Sequence, residues 1–369
     1  MIIVITCSHF PDDERIFYRQ INSLLENGLS VTYFTYSNSS IDLSNGLLEH
    51  YNYNKRITLR QYMSNVLSDI SGRTNITHVQ IHETSLLSIF RRIKSLSANI
   101  STIYDVHEDM ESLYRTFSKR SKLIKETFIC LRLLKEKLKL KYVDHIILAN
   151  RVIEHNPYSS YNIPLSVIEN FPGTSFIKKS LNIDKKKYKI IYHGHLSQER
   201  GISDLVTAMR SVKVKLNNPL LSLVGTFRTK TFELHIKRLI ADFDLSDTVQ
   251  IINQVPYSKI SDILGEHSIG VIPLRRTPMT KKNTPTKLFE MMAAGLEIVA
   301  SDLLPMRQFV NHSIHWSIPG NILSISDAII RASTFLLNDP SNVQENQRLI
   351  KKEFNWERKK EQYVSIFKD

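Results

Sequence analysis

The stretch Asn283-Thr-Pro-Thr-Lys-Leu-Phe-Glu290-Met-Met-Ala-Ala-Gly295 decides the reading of this chain. A Pro-Thr-Lys turn runs into good helix formers, Gly295 stops the helix, and the apolar run Glu297-Ile-Val-Ala-Ser301 follows at once. Turn, helix and buried strand in that order form an α/β unit, which aims a helix N-terminus at an anion. Lys287 and Glu290 stand one turn apart at that N-terminus, so both can reach one bound molecule. The ammonium suits a phosphate and the carboxylate suits a sugar diol. A solvated first turn with the ordinary acidic preference would account for the same residues.

Working outward, the alternation of strands and helices reaches both ends. Ile2–Thr6 reads as an apolar strand, the loop Ser8-His-Phe-Pro-Asp-Asp-Glu14 leads into a helix over Arg15–Asn27, and Val31–Phe34 is the next strand. Further strands are expected over His78–Ile81, Thr102–Val106 and Asp144–Ala149. The pattern breaks at Asn170-Phe-Pro-Gly-Thr174, and lysine-rich Ile177–Lys189 reads as a linker. A second series has strands over Lys189–His193, Leu221–Val224, Val249–Ile252, Ser268–Pro273 and Glu297–Ser301. Helices over Ile202–Val212, Phe232–Phe243, Ser258–Leu264 and Pro285–Ala294 separate them. The expected class is α/β, with two facing Rossmann-like domains and a site in the cleft between them. Residues 1–172 would form the first domain, 173–188 the linker, 189–352 the second domain and 353–369 a terminal helix.

Composition bounds the partners. The chain has 369 residues, a formal net charge of +13 and a sequence pI near 9.5, so an anionic partner is expected: nucleic acid, a phosphate-rich substrate or a membrane surface. Only Cys7 and Cys130 occur, in no metal-like spacing, which argues against a disulfide framework and for a reducing compartment. The opening Met1-Ile-Ile-Val-Ile-Thr-Cys-Ser-His9 lacks a basic leader and reads as a first strand rather than a signal peptide. No run approaches the roughly 18 apolar residues of a membrane span.

Three constellations sit at strand ends. In Tyr192-His-Gly-His-Leu-Ser-Gln-Glu-Arg-Gly201, Gly194 lets backbone approach a ligand and Arg200 offers a fork for phosphate oxygens. Val224-Gly-Thr-Phe227 again puts a glycine, Gly225, after a buried strand. Tyr104-Asp-Val-His-Glu-Asp109 crowds an imidazole among carboxylates, so His107 could donate a hydrogen bond or carry a proton in a cleft. Ordinary turn chemistry and a satisfied structural histidine would explain the same residues. Zinc is a poor fit, because no second histidine or cysteine stands at ligand spacing nearby.

Residues 119–141 carry Lys119, Arg120, Lys122, Lys125, Arg132, Lys135, Lys137, Lys139 and Lys141 against only Glu126 and Glu136. Ile124, Phe128, Leu131, Leu134 and Leu138 recur at helical spacing beside those cations. Such a helix can lie on an anionic membrane, or pack its stripe into the domain and leave the lysines solvated. Nucleic acid is disfavoured, since no helix-turn-helix, zinc finger or aromatic-basic strand motif appears.

Taken in order, these pieces resemble the retaining GT-B glycosyltransferases of family 4 over essentially the whole chain. His9-Phe-Pro-Asp-Asp-Glu-Arg-Ile-Phe17 is similar to the acceptor-side loop, and Ile81-His-Glu83 and Tyr104-Asp-Val-His-Glu108 to the two histidine loops of the first domain. Val167-Ile-Glu-Asn-Phe-Pro172 resembles the segment entering the linker, and His193-Gly-His-Leu with Arg200-Gly201 the phosphate motif. Ile269-Gly-Val-Ile-Pro273 followed by Pro285–Gly295 resembles the nucleotide-sugar motif, and Phe354-Asn-Trp-Glu357 the start of the terminal helix crossing back to the first domain.

The resemblance implies a GT-B fold and residue roles. Glu290 would accept from the ribose hydroxyls, and the Thr286 and Lys287 amides would face the diphosphate. Gly194, His195 and Gly225 would also line the donor, with Gly194 giving clearance for the phosphates. Arg200 and Lys287 would neutralise the leaving diphosphate in place of a metal, and His107 would touch the donor sugar. Asp13, Arg15, His82 and Glu108 would lie on the acceptor side. Two positions depart from the family: Lys282 stands where a first glutamate would be, and His195 where an arginine follows the glycine. The implied activity is retaining transfer from a nucleoside-diphosphate sugar to a saccharide or lipid-linked acceptor in bacterial surface polysaccharide (O-antigen, capsule, lipopolysaccharide) synthesis. No cofactor or metal is expected, and the enzyme would sit in the cytoplasm on the inner face of the cell membrane. A sugar-nucleotide epimerase and a non-catalytic GT-B subunit are the other readings.

Overall fold

Among the described residues every strand runs parallel to its neighbours, in two separate sheets. The computed structural model describes residues 1–107, 109–151, 157–177 and 188–368. Glu108 and positions 178–187 of the expected linker lie outside the described residues. The chain divides into Met1–Asn170 with Glu357–Asp369, and Phe171–Trp356.

The first unit contains β1 (Ile2–Ile5), α1 (Asn22–Glu26), β2 (Val31–Tyr36), β3 (Leu48–Tyr53), α2 (Leu59–Ser71), β4 (His78–Ile81), α3 (Ser88–Leu96) and β5 (Ser101–Val106). It continues with α4 (Met110–Phe117), α5 (Lys122–Leu140), β6 (His145–Leu148) and β7 (Leu165–Val167). The sheet order is β3-β2-β1-β4-β5-β6-β7, so the direction of winding reverses between β1 and β4. Its central strands β1 and β4 are buried throughout; β1 is an unbroken apolar run, while β4, His-Val-Gln-Ile, also buries two polar side chains. Edge strand β3 is polar apart from Leu48, which is why its sequence, Leu-Glu-His-Tyr-Asn-Tyr, carries no strand signal.

The second unit contains β8 (Lys189–His193), α6 (Ile202–Lys215), β9 (Leu220–Val224), α7 (Lys230–Asp242), β10 (Val249–Ile252), α8 (Tyr257–Gly265) and β11 (Ile269–Ile272). It continues with α9 (Lys287–Ala294), β12 (Glu297–Ser301), α10 (Leu304–Arg307), β13 (His315–Ser317), α11 (Ile322–Asn338) and α12 (Ser341–Lys352). The order β10-β9-β8-β11-β12-β13 reverses between β8 and β11. A last helix, α13 (Trp356–Ser365), belongs to the first unit from Glu357 onward.

Three details differ from the sequence expectations. The helix expected over Arg15–Asn27 is a π-helical segment over Ile16–Ile21 followed by α1. Its wide turn starts on Asp13, whose carboxylate accepts from the Arg15 and Ile16 amides at 2.9 and 3.0 Å. The unit boundaries fall at 170/171 and 356/357, because Phe171 and Phe354 both enter the second unit's core. There Phe171 meets Phe289 edge-on at 4.7 Å, and Phe309 and Phe354 complete the aromatic cluster. The helix expected from Pro285 begins at Lys287, with Thr286 as its cap.

Candidate active site

In open α/β sheets ligands bind beyond the carboxyl ends of the strands, where the winding reverses. In the second unit that point is the end of β8 beside β11. Gly194, Gly201 and Gly225 all have positive φ there, and backbones crowd where side chains would stand. A Cβ on Gly225 would lie 1.9 Å from the Gly194 carbonyl oxygen, and one on Gly201 1.8 Å from that of Pro273. Gly270 plays the same part in β11, where a Cβ would strike Met291 of α9. These close approaches let α9 descend onto the strand ends with its first turn beside β8.

That first turn carries the residues quoted at the outset. Lys287 is buried, and its Nζ donates to the His193 carbonyl at 2.8 Å and to the Tyr192 hydroxyl at 3.2 Å. It also lies over the Tyr192 ring, 4.5 Å from the centroid. The space beside Gly194, expected to serve a ligand's phosphates, is occupied by this ammonium. Glu290 is buried with one oxygen 3.5 Å from His193 Nε2. Burial, and then the Lys287 charge, push His193 down to about 3, so the imidazole facing Glu290 is neutral. The amides of Leu288, Phe289 and Glu290 bond to Pro285 and Thr286 carbonyls, and none of the described residues accepts from the Thr286 amide.

Arg200 is half-buried in the turn before α6 and has no ion pair among the described residues. His195 keeps an exposed edge, and partial desolvation of its ring, followed by the charges of Arg200, Arg228 and Lys287, lowers its pKa. Gly225 follows β9 and Lys282 is half-buried ahead of α9. Tyr192 and His193, which open the Tyr192–Gly201 constellation but were given no role in it, hold the lysine and face the glutamate from the last two positions of β8.

In the first unit the reversal lies between β1 and β4, and the polar loops after β1, β4 and β5 meet there. Asp105 is fully buried at the end of β5, and Arg15 bonds both its oxygens, at 3.1 and 2.9 Å, while also donating to the Ile168 carbonyl. Burial alone would raise the Asp105 carboxyl, but Arg15 and His107 outweigh it and hold it well below the usual range. His107 Nε2 lies 2.8 Å from His82 Nδ1 and 3.2 Å from Asp105. Burial pushes His107 down to about 4 against the pull of Asp105. His9 bonds Asp13 at 3.1 Å and its ring lies 4.7 Å from that of His107. Glu83 accepts from Thr6, the Cys7 amide and both donors of Ser8, tying the β1 loop to β4.

The structure therefore brings Asp13, Arg15, His82 and His107 together, while Glu108 lies outside the described residues. Gln20, Gln80, Glu83 and Asp105 join them; Glu83 and Asp105 stood inside the quoted Ile81–Glu83 and Tyr104–Asp109 stretches without a role, and Gln20 and Gln80 lie in a helical segment and a strand with no motif around them. One ligand-type atom from each of His82, Asp105 and His107 falls within 4.8 Å of the others. Arg15 already occupies the carboxylate, so a cation there would face a fixed buried charge. The group reads as a hydrogen-bond network.

Helix α5 presents its apolar stripe outward. Leu131, Leu134 and Leu138 are 54%, 56% and 63% exposed, and Ile124 and Phe128 are also exposed. The face that packs is instead Ile129, Leu140 and Glu136, whose carboxylate accepts from Tyr158. Among the described residues no helix is long and apolar enough to cross a membrane.

Residues 174–356 match the family described as glycosyl transferases group 1. A stretch of 148 residues, 39% of this chain, is 26% identical to the amylovoran biosynthesis glycosyltransferase AmsK of Erwinia amylovora and spans 36% of that relative. Sucrose-phosphate synthase from Thermosynechococcus elongatus is 17% identical with a TM-score of 0.74, covering 100% of this chain and 98% of its own. Anabaena Alr3699/HepE in complex with UDP-glucose is 13% identical with a TM-score of 0.75, covering 100% and 99%. At such identities the structures show the fold, two parallel-sheet Rossmann-like domains of the GT-B type, and the family match adds the chemistry class. Over residues 174–356, the span that holds Lys287 and Glu290, this chain matches the glycosyl transferases group 1.

Proposed function

We propose that this protein moves a sugar from a nucleoside-diphosphate sugar to a hydroxyl of a saccharide or lipid-linked saccharide, with retention and without a metal. The observation that carries the donor half is the buried Lys287–Glu290 turn on the strand ends where the winding reverses. Glu290 accepts from the ribose hydroxyls, and the imidazole 3.5 Å from its carboxylate, His193, is neutral. The amide end of α9 and the Arg200 guanidinium stabilise the diphosphate as it takes on negative charge, and Lys287 adds its charge from behind Gly194. UDP and UDP-glucose in the Anabaena structures support a nucleotide-sugar donor.

In the first unit, His107 contacts the donor sugar, and Asp13, Arg15, His82 and Glu108 shape the acceptor side. The likeness to an amylovoran transferase supports a bacterial surface polysaccharide as the product class. The outward leucines and lysines of α5 support peripheral attachment to an anionic membrane, here the inner face of the cell membrane. A panel of UDP-, GDP- and dTDP-sugars, followed by thermal stabilisation and by release of nucleoside diphosphate with and without chelator, tests the reading. Stabilisation by one donor and chelator-insensitive release are expected; no response to any donor would overturn it.

A further inference from the structure

His107 stands at the end of a hydrogen-bond chain directed at each step, and we infer that this chain fixes its tautomer, with the proton on Nδ1 and the lone pair on Nε2. The chain begins at Asp105, which Arg15 keeps ionised and which can therefore only accept. Gln20 must turn its amide nitrogen to Asp105 Oδ2, 2.6 Å away, and its oxygen to the other side. That oxygen receives the Gln80 amide nitrogen at 3.0 Å. The Gln80 oxygen in turn receives the Tyr363 hydroxyl of α13 at 2.8 Å, which closes the far end.

With Gln80 so oriented, its nitrogen also faces His82 Nε2 at 3.2 Å. An amide N–H only donates, so His82 Nε2 carries a lone pair and its proton sits on Nδ1. That Nδ1–H lies 2.8 Å from His107 Nε2 and 3.4 Å from Asp105 Oδ2, and its proton is shared between them. His107 Nε2 also lies 3.2 Å from Asp105 Oδ2, but a proton there would oppose the His82 Nδ1–H at the shorter 2.8 Å; the single His82 proton bridges both acceptors, so His107 Nε2 accepts and the His107 proton resides on Nδ1.

Among the described residues nothing bonds to His107 Nδ1, and 11% of this side chain remains exposed. The group offered outward is thus a neutral donor, suited to a sugar hydroxyl or a developing anionic oxygen and unable to take a proton there. This last step rests on the proposed contact of His107 with the donor sugar. Gln80, inside the buried strand β4, is then a positioning residue acting through His82. Its place in the interior of a buried strand hides it from any motif search.

Histidine-selective 15N labelling of the full chain, with His107 assigned through His107→Asn, reads both ring nitrogens directly. Between about pH 6 and 8 the expected spectrum has Nδ1 protonated and Nε2 unprotonated; the reverse pattern, or an imidazolium, would overturn the inference. Gln80→Glu places an acceptor against His82 Nε2 and should invert both rings, lowering turnover about tenfold or more with little change in KM. Inversion with undiminished turnover would remove the donor role of His107 and leave the transferase reading intact. A wild-type spectrum as expected in a chain that turns over no donor would do the opposite. If Gln80→Glu fails to fold, the wild-type spectrum still decides.

Discussion

Lys287 Nζ lies 2.7 Å from the point where a Cβ on Gly194 would stand. Residue 194 is therefore glycine for two reasons, its φ of +114° and the ammonium lodged beside it. Gly194→Ala should cost about 1–3 kcal/mol in backbone strain and displace Lys287 from the end of β8. Urea unfolding and donor titration would both register it. Gly28→Ala, also at positive φ but with no atom within 4 Å of the new carbon, should lower stability without weakening donor binding.

Glu290→Ala should leave the fold in place and weaken donor binding by about 10–100-fold, the value of charge-assisted hydrogen bonds near 1.5–3 kcal/mol. Calorimetric titration with the preferred nucleotide sugar measures it. Unchanged affinity would remove the ribose assignment.

Arg200→Ala removes a guanidinium with no ion pair among the described residues, so unfolding should move by less than about 0.5 kcal/mol. Turnover should fall by about 10²–10³-fold, as for loss of one preorganised group facing a developing charge. A fully active variant would contradict the phosphate role.

Much of this architecture was legible because parallel strands buried on both faces write continuous apolar runs, and Ile2–Ile5, Ile269–Ile272 and Glu297–Ser301 do so. The α9 turn was legible for the same reason, since Gly295 and the following strand frame it. Edge strand β3 and the short β7 and β13 were not, because half-exposed strands of three to six residues lack both length and alternation. Nor could the sequence pair Arg15 with Asp105, 90 positions apart, or Tyr363 with Gln80, 283 apart. Such partners are chosen by the winding of the sheet. On α5 the spacing gave the stripe correctly but left its direction open; Ile129 and Leu140, flanking the buried Glu136, turned out to be the packing face.

The exposed stripe makes a clean separation of stability from attachment possible. Leu131, Leu134 and Leu138 changed together to Ser should shift unfolding by less than about 0.5 kcal/mol per site, yet release the protein from anionic liposomes. Lys135, Lys137, Lys139 and Lys141 changed to Glu should do the same. Leu140→Ser, at a buried position on the same helix, should instead cost about 2–5 kcal/mol. Undiminished co-sedimentation of the first two variants would remove the membrane proposal.

Acid should destabilise the protein earlier than carboxylate titration alone would. His107 and His193 are pushed down to about 4 and about 3. Below the ordinary value of about 6.5 the unfolded chain binds protons that the folded chain refuses. Stability is therefore complete above that value and is lost as pH falls from it toward 4 and 3. Asp105 and Asp13, both held low, add a second loss below the ordinary carboxylate value of about 3.9. Denaturant melts across pH should show both phases, and His107→Asn should flatten the first; stability constant down to pH about 5 would contradict the buried neutral imidazoles.

The most direct test is titration of wild-type protein and Glu290→Ala with UDP-, GDP- and dTDP-sugars, with nucleoside diphosphate release followed in the same samples. The account predicts that one donor binds and is slowly turned over by the wild type, with chelator making no difference, and that Glu290→Ala loses that binding. If no donor binds the wild type, or if Glu290→Ala binds as tightly, the α9 turn is not a nucleotide-sugar site.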